Sequence, residues 1–124
     1  MEDGFAGSRP LFRADAVPEE VLLVLSSWPD LNGARTAVRL LVEERCVACA
    51  SLIPAMESIY RWKDKIESAA EVLVLMKTTF SQYPALELRI KQMHPYEVPE
   101  IVELKMNDVS KSYMSWMMEV TTKT

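Results

Sequence analysis

Glycine is scarce in this chain: Gly4, Gly7 and Gly33 are the only three in 124 residues, and none follows position 33. Dinucleotide and P-loop cradles both need glycines where backbone N–H groups close on phosphate, so neither is available in its usual form. Histidine is scarcer still. His94 stands alone, which excludes a two-His zinc protease helix, a three-His zinc site and the zinc-deaminase signature. The two cysteines, Cys46 and Cys49, are three apart and could pair only across a very short loop. That is no secreted disulfide framework, and the expected compartment is cytoplasmic. No run approaches the ~20 apolar residues of a membrane span; Val72-Leu73-Val74-Leu75-Met76, which no other run exceeds, is strand-sized. Basic residues are outnumbered, 14 Lys and Arg against 18 Asp and Glu for a net charge of −4, the wrong sign for gripping a phosphate backbone. Nucleic acid is therefore an unsuitable partner.

What is present suffices for one folded domain. A compact chain of this length hides roughly 65 to 70% of the surface its unfolded form exposes, so with 49% hydrophobic residues it needs neither disulfide nor structural metal. No cofactor is required, and any metal would be functional. Residues 1–18 carry Arg9, Arg13 and scattered Phe5, Leu11 and Phe12 without the apolar core of a signal peptide. They are expected to form a disordered leader, with the folded domain at 19–124.

Val21-Leu22-Leu23-Val24-Leu25 reads as a buried strand ended by the turn-like Ser26, Ser27, Trp28 and Pro29. From Asp30, the spacing of Ala34, Ala37, Val38, Leu41 and Val42 predicts an amphipathic helix. A long hairpin follows, turning at Lys63-Asp64-Lys65, and Pro54, which cannot donate to a ladder, predicts a bulge between 52 and 55. A second helix begins after Ser81 and is stopped by Pro95, with Leu86, Ile90 and Met93 on one face. Residues 101–106 alternate as a last strand, and Ser110 is placed to cap a third helix bearing Tyr113, Trp116, Met117 and Val120. The order β-α-β-β-α-β plus a C-terminal helix is the ferredoxin-like pattern, in the α+β class.

Two helices cover one face of such a sheet, yet 21–25 and 72–76 are apolar at every position, which calls for cover on both faces. A large exposed apolar face is rare on a monomer. A homo-oligomer is expected on this ground alone.

Ala48-Cys49-Ala50-Ser51-Leu52-Ile53-Pro54, Ser58-Ile59-Tyr60-Arg61-Trp62-Lys63-Asp64-Lys65-Ile66-Glu67, Lys77-Thr78, His94-Pro95-Tyr96-Glu97-Val98-Pro99-Glu100-Ile101 and Tyr113-Met114-Ser115-Trp116 stand in this order. Together they resemble the CutA divalent-cation tolerance family, over residues 21 to about 120. The resemblance implies a tight homotrimer similar in architecture to the PII signal proteins, with copper or a similar divalent metal ion as its ligand. It carries the bacterial copper site onto Ser26, His94 and Glu100. Ser26 departs from that pattern, in which the position can be cysteine; losing the thiolate leaves an imidazole and a carboxylate, better suited to Cu(II) or Zn(II) than to Cu(I). Asp64 and Val109 depart where members often have glycine.

Each candidate has a plainer alternative. His94 closes a helix against a Pro-rich loop, so that its ring, Glu97 and Glu100 could converge on one ion; equally, it could bond nearby carbonyls or a carboxylate. Cys46 and Cys49 form a C-x-x-C without a second pair or a following helix N-terminus and read as small buried hydrophobes. Met93, Met114, Met117 and Met118 offer thioethers to Cu(I), but their helical spacing reads as packing. Tyr60, Arg61, Trp62, Glu71 and Lys77 lie on the hairpin that meets a neighbour in the family's trimers, and Tyr96 and Trp116 belong to its later motifs. These seven mark a trimer interface or, as a second reading, an inter-subunit cleft where Lys77 and Arg61 receive a small anion in a signalling or scaffold trimer. A third reading, Cys49 as a nucleophile with His94 as base, lacks any activating neighbour in sequence. The chain is expected not to be an enzyme.

Overall fold

A computed structural model describes residues 20–123; the leader expected at 1–18 falls outside them. The elements run β1 (Val21–Trp28), α1 (Leu31–Glu43), β2 (Cys49–Trp62), β3 (Lys65–Thr79), α2 (Tyr83–Met93), β4 (Val102–Lys105) and α3 (Lys111–Thr121). The sheet order is β2-β3-β1-β4, with antiparallel pairing throughout. This is the expected ferredoxin-like α+β arrangement with its extra helix.

The first strand is longer than the sequence suggests. Ser26, Ser27 and Trp28 stay in register with Val74, Leu73 and Val72 of β3 alone, because a serine's backbone N–H and C=O can join a ladder as any residue's can. Asp30 then caps α1, its Oδ2 accepting from the Gly33 N–H at 2.8 Å. Ala34, Ala37, Val38 and Leu41 turn inward. At the far end Arg45 takes a positive φ of 63°, the N–H of Arg45 bonds Val42 O at 3.0 Å, and the N–H of Cys46 bonds Leu41 O at 3.0 Å. This paired closure satisfies orphan carbonyls and tucks Cys46 against the core, its role as a small hydrophobe. Both cysteines are free.

One core lies between the sheet and α1 and α2, built on Leu22, Val24, Trp28, Val72, Val74, Met76, Leu41, Leu86 and Ile90. Each large side chain buried there contributes roughly 1.5–3 kcal/mol. A smaller cluster joins Met117 of α3 to Val21 and Ala48, with Met114 beside it, whereas Met93 belongs to the first core. The methionines thus pack in separate places. Ser110 occupies the N-cap position of α3 but makes no side-chain cap bond. On the sheet face away from α1 and α2, α3 covers one corner. Leu23, Leu25, Leu73 and Leu75 remain half-buried, and Ile53, Val102 and Leu104 are exposed. That is the uncovered face the sequence anticipates.

The hairpin outruns the sheet. β1 pairs only with residues 72–79 of β3, so the pairs from Met56↔Glu71 to Trp62↔Lys65 form a two-stranded arm. The expected bulge is present between Ile53 and Met56, where Ala55 has φ 66°. At the tip, Lys63 (φ 50°) and Asp64 (φ 68°) both adopt the left-handed region, the geometry of a two-residue type I′ turn.

Candidate functional site

The site grows from the end of β1 and the loop after α2. Pro95 stops α2 and leaves His94 at its C-cap, the N–H of His94 bonded to Ile90 O at 2.8 Å. The His94 ring lies between two aromatic rings, 4.2 Å from Trp28 and 4.8 Å from Tyr96 between centroids. Both its nitrogens are engaged. The Tyr96 backbone N–H donates to Nδ1 at 3.1 Å, which leaves Nε2 to carry the proton and donate to Ser27 O at 2.7 Å. Burial holds the ring's pKa below its ordinary value, against the opposing pull of Ser27 O and Glu71. His94 is therefore a neutral brace that pins the loop to β1.

The same loop carries Tyr96 around to β3, where its phenol donates to Glu71 Oε2 at 2.6 Å. Burial first, then the Glu71 carboxylate, pushes the Tyr96 hydroxyl well above the usual phenol range, so it stays a proton donor. Glu71 is only 6% exposed. Beside this pair opens a cavity of about 480 Å³. Ser27, Glu71, Tyr96, Glu97, Val98 and Glu100 line one side, and Ser58, Tyr60 and Trp62 of the arm line the other. Alternation puts Ser58, Tyr60 and Trp62 on one face of β2, the face shared with Glu71 through the Met56↔Glu71 pair. Among the described residues, no Lys or Arg lines it.

Of the sequence-predicted residues, Tyr60, Trp62, Glu71, Tyr96 and Glu100 meet at this cleft. Ser26 does not. It is fully buried on the opposite face of β1, the face of Val24 and Trp28, and its Oγ has no hydrogen-bond partner among the described residues. Arg61 pairs with Ile66 on the other face of the arm from Tyr60 and Trp62. Lys77 sits near the far end of the sheet, opposite Cys49, with its Nζ 5.7 Å from the Tyr113 ring centroid. Electrostatic interaction with Cys49 first, then the hydrogen bond to Tyr113, raises the Lys77 pKa, and Cys49 Sγ lies 3.4 Å from Tyr113 Oη. Within one chain the two cations of the anion reading do not share a cleft. Cys49 and His94 also stand at opposite ends of the sheet, about 14 Å apart along β1, too far for a nucleophile and its base. Trp116 is on α3, 5.4 Å from Tyr113 between ring centroids. Among the described residues, no group of three or more His, Cys, Asp or Glu side chains could hold a metal ion.

A model of the family described as CutA1 divalent ion tolerance protein matches residues 22–120. The chain belongs to the CutA1 divalent ion tolerance family. It is similar to the divalent-cation tolerance protein CutA of Thermus thermophilus, 43% identical over 103 residues, covering 83% of this chain and 98% of that one. It is 40% identical to Protein CutA of Homo sapiens over 125 residues, 98% of this chain and 70% of the human one. Among solved structures, the Thermus thermophilus Cut A1 protein superposes with a TM-score of 0.80 at 41% identity, over 82% of this chain and 99% of that one. CutA1 from Pyrococcus horikoshii gives 0.79 at 37% identity, over 82% and 99%. No helix among the described residues is long and apolar enough to cross a membrane.

Sequence reasoning paired Glu97 with Glu100 but missed Ser27, Ser58 and Val98 as cleft residues, and it missed the Tyr96–Glu71 bond. The i, i+2 alternation of Ser58, Tyr60 and Trp62 was the available signal for a shared face.

Proposed function

We propose that this chain acts as a cytoplasmic, non-enzymatic homotrimer that binds copper or a similar divalent metal ion and takes part in the response to it, a reading supported by the divalent-cation tolerance that its relatives are named for. One observation favours the cation reading over the anion reading: Glu71, Glu97 and Glu100 line a cavity that, among the described residues, no Lys or Arg lines, although as placed the three carboxylates do not converge on one ion. Glu100, exposed at the rim, is the first donor. His94 joins only by giving up Nδ1 to the metal in place of the Tyr96 N–H, and Ser26 contributes only if β1 rearranges. The half-covered sheet face and the projecting arm support the trimer, since a lone two-stranded ribbon is marginal in water. Two free cysteines support a reducing compartment.

Calorimetric titration with chelator-buffered Cu(II) and Zn(II) tests this on the wild-type chain, Glu100→Gln and His94→Gln. Saturable binding lost in Glu100→Gln supports the rim site, and loss in His94→Gln as well adds the imidazole. Binding no tighter than about 10 μM in the wild type, roughly −7 kcal/mol, overturns the metal reading. Light scattering at three times the chain mass tests the trimer.

A further inference from the structure

A metal ion accounts for the carboxylates of the cleft but not for its walls. Tyr60, Trp62 and Tyr96 line the same cavity as Glu71, Glu97 and Glu100. Ring faces are poor donors to a hard divalent ion, which seeks oxygens at short range. They suit a large, weakly hydrated cation whose charge is spread over methyl or methylene groups, because the negative ring face attracts it with little desolvation cost. The protein already uses Trp62 in this way: Lys63 Nζ stands 5.8 Å from the Trp62 ring centroid, yet Lys63 is not among the cleft residues. Size points in the same direction. About 480 Å³ falls in the range of small-molecule sites, roughly 300–1,000 Å³, and far exceeds a bare metal ion. The floor is fixed as well, since the bond from the Tyr96 phenol holds Glu71 in place at 2.6 Å.

We propose that the cleft between the hairpin arm and the 94–101 loop is a binding site for a small organic cation, an alkylammonium or quaternary ammonium compound. The head sits among Tyr60, Trp62 and Tyr96 with the carboxylates balancing its charge. This goes beyond the metal reading and shares the carboxylates of Glu71, Glu97 and Glu100 with it; His94 serves here to position the Tyr96 loop and touches no ligand.

The test is a proton NMR titration of the full-length protein with tetramethylammonium chloride in the presence of EDTA, with tert-butanol as the uncharged probe of similar size. The expected result is a saturable upfield shift of the tetramethylammonium methyl signal, with tert-butanol at least fivefold weaker. Trp62→Leu should weaken the ammonium about fivefold, the loss of one good ring contact. Glu97→Gln, a change at an exposed loop side chain that leaves the arm intact, should weaken it about twofold while leaving tert-butanol unchanged. Absence of tetramethylammonium binding, tert-butanol binding as tightly, or indifference to both substitutions overturns the proposal. So does inorganic phosphate shifting the same protein resonances when the ammonium does not. EDTA keeps the two readings separable: this titration can fail while Cu(II) binding stands, and the reverse.

Discussion

Acidification should weaken this fold through His94 in particular. The ring is held by two hydrogen bonds of fixed polarity, the Tyr96 N–H into Nδ1 at 3.1 Å and Nε2–H into Ser27 O at 2.7 Å. A second proton can go only on Nδ1, where it would face the Tyr96 N–H. That leaves a largely buried donor unsatisfied, a cost of about 1–3 kcal/mol. Burial depresses the folded-state pKa below the ordinary 6.5, so beneath pH 6.5 the unfolded chain binds more protons than the folded one. The stability supplied by neutral His94 is complete above that value and is lost as the pH falls toward the folded-state pKa, by up to about 1.4 kcal/mol for each pH unit crossed. Because His94 is the only histidine, its ring signals in a nitrogen-edited NMR titration are unambiguous and report tautomer and pKa together. Urea denaturation at pH 7.5 and 5.5, at one protein concentration, gives the energy. His94→Gln offers one acceptor and one donor and cannot titrate, so it should lose the part of the pH dependence that belongs to the ring. A ring that titrates at or above 6.5, an Nδ1–H tautomer, or an unchanged pH dependence in His94→Gln would refute the reasoning.

Ser26→Ala should raise stability by about 1 kcal/mol, because the Ser26 hydroxyl is buried without a partner among the described residues and burying an unmet polar group costs about 1–3 kcal/mol, offset in part by the small void left behind; a lower urea midpoint would show that the hydroxyl is satisfied after all. Asp64→Gly should stabilise the hairpin by about 1 kcal/mol, since Asp64 sits at φ 68°, a conformation glycine adopts without the Cβ penalty; thermal melting that moves down would refute it. Trp62→Ala should cost little in a dissociated chain, where the residue is 41% exposed, but about 3 kcal/mol or more if a neighbouring subunit buries it. The midpoint loss should therefore grow with protein concentration, and a concentration-independent loss would place Trp62 outside any interface.

Periodicity made the fold legible. The helical spacing in α1 and the unbroken apolar strands identify elements whose energy comes from burial, and burial is what a hydropathy pattern records. Pro54 gave away its bulge because a missing N–H is a property of residue type, independent of context. The end of β1 was not legible, because Ser26 and Ser27 are turn-like in isolation and are held extended by Val74 and Leu73, nearly fifty residues away. The same limit governs the site. His94 reads as a ligand by type, yet coordination depends on a free lone pair, and the partners that occupy both nitrogens are backbone groups of Ser27 and Tyr96. Any residue can supply such groups, so no side-chain pattern reveals them.

The arm ties assembly to the site. Beyond Val72 the hairpin has no third strand among the described residues, and its exposed Ile59 and Ile66 lie on the face opposite Tyr60 and Trp62. A ribbon with apolar residues on both faces needs support from outside its own chain. Tyr60 and Trp62 are one wall of the cleft, while Tyr96 and Glu71 are fixed to the body of the domain by His94 and β3. The cleft therefore has one rigid wall and one wall only as well placed as the arm that bears it. A neighbour that packs against Ile59 and Ile66 would fix the second wall without touching the ligand. Ligand affinity in this protein should then track its oligomeric state, with subunit contact doing the positioning that the loop bonds do on the other side.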